Sequence, residues 1–200
     1  MWVRGAAIRP VPRYAIVTSS TLESIERELA DDSPNAREAL DAAFARFEAT
    51  QPQLADAISQ VLSRPLDETA LALGYFLSIA IWMAFERTFG QTRIREVSED
   101  ALVATEGAIR LEEELRAAQS HGFDDVVTVE QPNVLAFVHG HVEAALDQPA
   151  SGAGEGETER VVDADDVRAV YRAVVLLTLC MSHAVVPVDG ASRGSPELMA

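Results

Sequence analysis

Two histidines stand two residues apart inside an otherwise apolar run, EQPNVLAFVHGHVEAAL at residues 130–146. Imidazole is the commonest side-chain ligand of metals, so His139 and His141 are the first residues to consider for chemistry. Two residues along an α-helix turn the chain by about 200°, however, and a chelating pair needs a spacing of three or four. We therefore predict that the two rings diverge, with His139 on the polar side of a helix and His141 half-buried on the core side.

A metal site has little support elsewhere in the sequence. Glu143 lies one turn beyond His139, and these two residues are the only weak candidates for metal ligands. A zinc site needs three or four ligands, and a carboxylate-bridged di-iron bundle needs a glutamate three residues before a histidine. No histidine in this chain has such a glutamate, and no two histidines stand four apart. We predict that the protein holds no metal and needs no cofactor.

A ligand pocket between two similar halves of the chain is a second hypothesis. Tyrosine and tryptophan carry polar atoms on large apolar rings, and many pockets orient small molecules with such side chains. Ordinary core packing explains the same residues and is the favoured interpretation. The candidate lining residues are Tyr75, Trp82, His141, Tyr171 and Cys180.

Motifs of common enzyme classes do not occur in the sequence. There is no phosphate-binding loop, no dinucleotide fingerprint, no Gly-x-Ser-x-Gly elbow and no Cys-x-x-Cys pair. Cys180 is the only cysteine, so an internal disulfide is impossible and a reducing, cytoplasmic location is expected. The sequence therefore favours a protein that is not an enzyme.

The charge of the chain argues against nucleic acid as a partner. All 16 basic residues are arginine, against 32 acids, which gives a net charge of -16. Such a surface repels a phosphate backbone, because binding needs clustered cations that displace its counterions. The basic part is an N-terminal arm, residues 1–20, which contains Arg4, Arg9 and Arg13 and no acid. We expect this arm to fold back on the acidic body, with a targeting segment as the alternative.

Capped, amphipathic segments recur along the chain, and alternating strand patterns are nearly absent. We predict an all-α, single-domain bundle of about six or seven helices over residues 21–186. The stretch DQPASGAGEGETER predicts a flexible loop at 147–162, and residues 187–200 should form a loose tail. Ser98 opens an acidic helix whose apolar stripe consists of Ala108, Leu111, Leu115 and Ala118.

Two long helices, 67–87 and 163–186, should form the centre of this bundle. The first is apolar on all sides, and Thr69 to Phe85 is 17 residues without a charge, at the lower limit for crossing a bilayer. The second is interrupted by Arg168 and Arg172, and arginines do not cluster beside either helix as an orientation signal requires. We therefore expect buried core helices, with a membrane as an unlikely partner.

An internal repeat is a further possibility, over residues 51–87 and 131–186. Gln51-Pro52 matches Gln131-Pro132 at an offset of 80, and the long helices match at an offset of 96, with Asp67 and Asp163 as corresponding N-caps. Apolar helices slide easily into partial register, so the match also has a chance explanation. A true duplication predicts two helical hairpins related by a pseudo-twofold axis.

For function, the sequence favours a non-enzymatic interaction or regulatory protein that self-associates and whose acidic face meets a basic protein partner. Uncovered apolar surface on the two long helices would form the seam of a homo-oligomer. The alternative is a small-molecule or metal-binding bundle, conceivably an enzyme, with its pocket between the repeats.

Overall fold

Helices dominate the computed structural model, which describes residues 6–29, 34–117, 123–147 and 163–188. These ranges contain no β-strand, only one isolated antiparallel bridge between Ile94 and Val185. The predicted all-α, single-domain bundle is confirmed. The helices of the described ranges are α1 (Ser19–Leu29), α2 (Pro34–Thr50), α3 (Pro52–Leu62), α4 (Glu68–Phe89), α5 (Glu99–Arg116), α6 (Phe123–Glu130), α7 (Pro132–Asp147) and α8 (Ala164–Ala184).

One helix, α6, is absent from the sequence-based prediction. Its eight residues include the run Val126 to Val129, which is β-branched throughout and typical of strands. Asp124 and Asp125 in the first turn favour the helix by facing its positive end. Val126 and Val127 are buried, so packing against α7 overrides the local preference.

The two long helices, α4 and α8, run side by side in the same direction. Their N-termini meet, because the backbone N–H of Asp163 donates to Asp67 Oδ2 (3.1 Å) and that of Asp67 donates to Asp166 Oδ2 (2.8 Å). Asp67 and Asp163 also cap their own helices, as predicted, by accepting from the N–H groups of Ala70 and Asp165. These aspartates therefore fix both helix starts and their mutual position.

The C-terminal ends of α4 and α8 are joined as well. The N–H of Arg95 donates to the carbonyl of Ala184 (3.0 Å), and that of Val186 donates to the carbonyl of Arg93 (2.8 Å). Between the two ends, Gly74 allows close packing, since a Cβ there would lie 3.3 Å from Val170 Cγ2 of α8 and would crowd Leu62 of α3. The parallel pair is thus tied at both ends and packed closely in between.

The other helices cover this central pair in a repeated arrangement. Helices α1 and α7 pack on α4 and on each other, and helices α5 and α3 pack on α8 and on each other. Helix α2 packs on α3, as α6 packs on α7. Each of these contacts has a counterpart when α1–α4 are exchanged for α5–α8. The contact of α2 with α4 is an exception, because α6 makes no contact of similar extent with α8.

Two buried glutamines hold the chain at corresponding places. The side chain of Gln51 donates to the carbonyl of Arg95 (3.0 Å) and accepts from the N–H of Val97 (2.9 Å). The side chain of Gln131 donates to the carbonyl of Ala15 (2.7 Å) and accepts from the N–H of Val17 (3.3 Å). Each glutamine precedes the proline that starts a helix, and each clamps an extended segment that leads into a helix of the other half.

The N-terminal arm folds back over the bundle, as expected. Its backbone N–H groups donate to two buried carboxylates, from Ala6 and Ala7 to Glu112 Oε2 (2.7 Å each) and from Val11 to Glu130 Oε2 (2.5 Å). Burial would raise the pKa of Glu112, but hydrogen bonds from Ala7, Arg116 and Ala6 leave it below its ordinary value. The buried side chains of the arm are Ile8, Val11, Ala15 and Val17.

The boundaries of the predicted segments differ slightly from the structure. Helix α1 begins at Ser19, within the predicted arm 1–20. The predicted loop 147–162 and tail 187–200 lie almost entirely outside the described residues, which stop at 147, resume at 163 and end at 188.

Helices α4 and α8 are the two described helices that are long and apolar enough to cross a membrane. In the bundle, however, 67% of the most apolar 18-residue stretch of α4 is buried, and so is 61% of the corresponding stretch of α8. The core helix of a soluble protein passes the same test of length and composition, so these helices alone are weak evidence for a membrane.

Candidate functional site

The five residues of the predicted pocket do not line one cavity. Tyr75 is 47% exposed and contacts Phe44 on the outside of the bundle, with 6.4 Å between ring centroids. Trp82 is buried in α4, and the guanidinium carbon of Arg46 lies 5.4 Å from the centroid of the Trp82 ring. The remaining three are His141, Tyr171 and Cys180, and each has separate neighbours.

The two histidines of α7 contact different helices. His139 Nε2 lies 3.0 Å from the hydroxyl of Tyr171, on α8. His141 packs edge-on against Phe76 and Phe137, and its Nε2 lies 3.4 Å from Glu26 Oε1, on α1. The rings therefore diverge, although His139, expected on the polar side, is half-buried because α8 packs beside it.

The two histidines belong to no cluster of metal ligands in the described part of the chain. Among the described residues, no three His, Cys, Asp or Glu side chains are grouped as a metal site requires, and Glu143, the other weak candidate, is exposed. Burial lowers the pKa of His141, and the carboxylate of Glu26 opposes that shift only in part. His141 is therefore neutral at physiological pH.

Tyr171 and Cys180 are held in their protonated forms. Burial, and then the carboxylate of Asp124, raise the pKa of Tyr171 far above its ordinary value. Burial raises the pKa of the Cys180 thiol to about 11, although a side-chain hydrogen bond with Thr105 acts in the opposite direction. Neither residue is a nucleophile or a base at neutral pH, because reactivity requires the ionised form.

A groove on the surface is a better candidate for a ligand site. It lies between α3, α5 and α8 and has a volume of about 280 Å³. Its floor is apolar, and three arginines and two acids stand at its rim. We call it the open groove; its lining is Val61, Arg64, Glu106, Ile109, Asp165, Arg168, Ala169, Arg172, Ala173 and Leu176.

The three rim arginines differ in their partners. Arg172 Nη2 lies 3.1 Å from Glu113 Oε2, and Arg168 Nη1 lies 3.3 Å from Asp165 Oδ1. Both pairs are exposed to water, so each is worth little in stability. Arg64 makes no ion pair or hydrogen bond through its side chain with any residue that the structure describes. The rim therefore offers one free guanidinium and two that are weakly held.

The corresponding place in the other half, between α7, α1 and α4, is filled. At an offset of 80, Val61 matches His141 and Glu106 matches Glu26; at an offset of 96, Arg172 matches Phe76. His141 contacts both Glu26 and Phe76, and Phe137, which matches Ala57, packs against His141 and Phe76. We call this the filled groove; its residues are His141, Glu26, Phe76 and Phe137.

The apolar stripe of α5 faces away from the bundle. Leu111 and Leu115 are 48% and 42% exposed, and Ala101 and Ala104 are exposed as well. An amphipathic helix usually turns its apolar stripe to the core, which is the expected place for this one. The inner face of α5 carries Ile109 and the buried Glu112 instead, because Glu112 binds the N-terminal arm. We call the outward set the α5 stripe: Ala101, Ala104, Ala108, Leu111 and Leu115.

The sequence contained signals for both the open groove and the α5 stripe. Arg168 and Arg172 stand four apart and interrupt an apolar helix, which places both on one face. Arg64 gave no signal, since it reaches the groove only through the packing of α3 on α8. The stripe predicted from the sequence shares Ala108, Leu111 and Leu115 with the α5 stripe, and its fourth residue, Ala118, lies outside the described residues. The direction of the stripe depends on the arm contacts of Glu112.

Known proteins do not extend these observations, because no protein-family model, curated protein or solved structure matches this chain.

Proposed function

We propose that this protein is a non-enzymatic interaction protein that binds a basic amphipathic helix of a partner protein on the α5 stripe. The main evidence for this proposal is the α5 stripe. Its residues are spaced alternately three and four apart over about 21 Å of helix, which is the pattern of a helix that packs against another. Two exposed leucines lie at one end and three alanines at the other, so a partner helix can approach closely.

The fold itself does not require this apolar surface. The residues of α1 that match Ala101, Ala104 and Ala108 at an offset of 80 are Thr21, Ser24 and Glu28. The counterpart face is therefore polar although α1 packs on α4 as α5 packs on α8. An apolar stripe that only one of two similar helices carries is more readily explained by binding than by folding.

Charge identifies the type of partner. Asp100 and Glu114 lie along the outer edge of the α5 stripe, seven residues to either side of Gly107. Two copies of this chain, paired antiparallel through the stripe about Gly107, would bring Asp100 of one copy beside Glu114 of the other, which opposes self-association in that arrangement. A helix with Lys or Arg beside its apolar residues would instead form opposite-charge pairs, and the net charge of -16 would speed its approach.

The same proposal treats the protein as water-soluble and cytoplasmic. The burial of α4 and α8 within the bundle supports solubility. The single cysteine, buried in α8 with its pKa raised, supports a location where no disulfide is needed.

We also infer that α1–α4 and α5–α8 arose by duplication of one unit. The paired glutamine clamps, the paired aspartate caps and the matching helix contacts support this inference. The repeat would then be longer than segments 51–87 and 131–186, because α1 and α5 also correspond. A binding stripe on α5 alone would mean that the two copies diverged in function.

Binding of a synthetic amphipathic helix, with leucines in a heptad stripe and lysines beside them, tests the function. We expect Leu111→Glu with Leu115→Glu to weaken binding by about a hundredfold, since each leucine contributes at least about 1.5 kcal/mol when buried. Fluorescence anisotropy of a labelled peptide measures the affinity, and sedimentation velocity shows whether the protein alone self-associates.

Val103→Glu provides the matched control. Val103 is 62% exposed on α5 but lies outside the stripe, so the same substitution there should leave binding unchanged. Equal weakening by the control and the stripe variant, or no weakening by either, would contradict a docking role for the stripe. If the protein sediments as a dimer and the stripe variant sediments as a monomer, the partner of the stripe is a second copy of this chain and not a basic helix.

A further inference from the structure

The open groove and the filled groove occupy equivalent places, and the residues that fill one show what the other could hold. In the filled groove, the rings of Phe76 and Phe137 lie 4.8 Å and 4.5 Å from the ring of His141. The residues that match these three rings by the offsets are Arg172, Ala57 and Val61, so the α3–α5–α8 side has one arginine and two small side chains instead. Arg172 and Val61 line the open groove. The resulting cavity of about 280 Å³ is at the small end of the range for ligand pockets.

The floor of the open groove suits an aromatic ring. Ile109 is 1% exposed and Ala173 is 6% exposed, so both belong to the core, and Val61 and Leu176 are partly buried beside them. A flat ring that covers these residues would remove apolar surface from water, as the rings of Phe76 and Phe137 do in the filled groove. An uncharged aliphatic ligand would gain the same burial but would leave the rim arginines unused.

The rim adds a preference for a carboxylate. Arg64 has no side-chain partner among the described residues, and Arg172, which also lines the groove, has a partially exposed partner in Glu113. Guanidinium groups bind carboxylates through paired, charge-assisted hydrogen bonds. Asp165 is already paired with Arg168 and points to water, while Glu106 stands on the α5 side of the rim.

We propose that the open groove binds a small aromatic carboxylate, with its ring on the floor formed by Val61, Ile109, Ala173 and Leu176 and its carboxylate on Arg64 and Arg172. The ring takes the place that phenylalanine side chains hold in the other half. The site is separate from the α5 stripe, although α5 contributes to both. The proposal therefore does not depend on the docking function.

An NMR titration of the full chain with 1-naphthoate tests this site. We expect saturable shifts of the methyl groups of Val61, Ile109 and Leu176, and at least tenfold weaker binding of 1-naphthamide, which keeps the ring and lacks the charge. Binding that does not saturate, shifts elsewhere in the protein, or equal affinity for the amide would overturn the proposal.

Two variants connect the binding to the arginines. Arg64→Gln should weaken naphthoate binding about tenfold, the loss expected for a hydrogen bond to a charged group. Arg110→Gln is the matched control, because it removes the same charge from an exposed position of α5 outside the groove. Arg172→Phe reproduces the filled groove and should abolish binding while the protein stays folded. A decrease of equal size in the Arg64 and Arg110 variants would show that only net charge matters and would refute the site.

Discussion

The two halves of this bundle share most of their helix contacts and differ in what fills the space beside the central helices. On the α1–α4–α7 side, aromatic side chains and a histidine–glutamate pair complete the packing. On the α3–α5–α8 side, smaller residues and an arginine leave a groove. The comparison teaches that the scaffold depends on caps and clamps that both halves keep, whereas side-chain volume at a few positions decides whether a cavity exists.

The two tyrosines give a second version of the same comparison. Tyr75 and Tyr171 correspond at an offset of 96, and their neighbours Phe44 and Asp124 correspond at an offset of 80. Tyr75 is exposed beside a ring, while Tyr171 bonds to His139 and its pKa is raised by burial and by Asp124. The two positions matched by these offsets therefore lie in different surroundings, an apolar surface contact for Tyr75 and a polar network for Tyr171.

The largest effect is expected at the two glutamine clamps. Gln51→Leu and Gln131→Leu each leave a backbone carbonyl and a buried N–H without their side-chain partner, so each should lower the free energy of unfolding by about 3 kcal/mol. Gln53→Leu, at an exposed position of α3, should change it by less than about 0.5 kcal/mol. Chemical denaturation measures all three, and a large loss in only one clamp would break the equivalence of the halves.

The filled groove should be opened by one substitution. Phe137→Ala places in α7 the residue that Ala57 provides in α3, and we expect it to cost about 2 kcal/mol because Phe137 is only partly buried. Phe137→Leu, which keeps most of the volume, should cost about 1 kcal/mol or less. Thermal and urea denaturation give these values; equal costs for alanine and leucine would indicate that the groove closes without its rings.

The tyrosine pair should show the smallest difference. Tyr171→Phe removes the hydroxyl that bonds to His139 and should cost about 1 kcal/mol. Tyr75→Phe removes a hydroxyl from a side chain that is 47% exposed and should be nearly neutral. Denaturation of the two variants under the same conditions checks the prediction, and similar costs for both would mean that the Tyr171–His139 bond adds nothing to stability.

Much of the fold could be predicted from the sequence because it depends on local signals. Capping aspartates at 67 and 163 and prolines at 52 and 132 mark helix starts within a few residues. Helix α6 could not be predicted, since its β-branched run favours a strand and only burial of Val126 and Val127 decides the matter.

The candidate sites depended on contacts between distant residues and were mostly out of reach. The residues of the predicted pocket have different neighbours, and aromatic type alone does not say which side chains share a cavity. The α5 stripe was visible as spacing, but its outward direction follows from Glu112, which lies more than 100 positions along the chain from the arm residues that it binds. The open groove needs Arg64 and Arg172, which only the packing of α3 on α8 brings together.

The glutamine clamps interlock the two halves. Gln51 binds the extended segment 95–97, which follows it in the chain, and Gln131 binds the extended segment 15–17, near the start of the chain. During synthesis, the first half therefore leaves the ribosome before either glutamine can bind its segment. Gln51 lacks residues 95–97, and residues 15–17 lack Gln131. We expect neither half to persist as an autonomous folding unit, so the whole chain should gain and lose its native structure in one cooperative step.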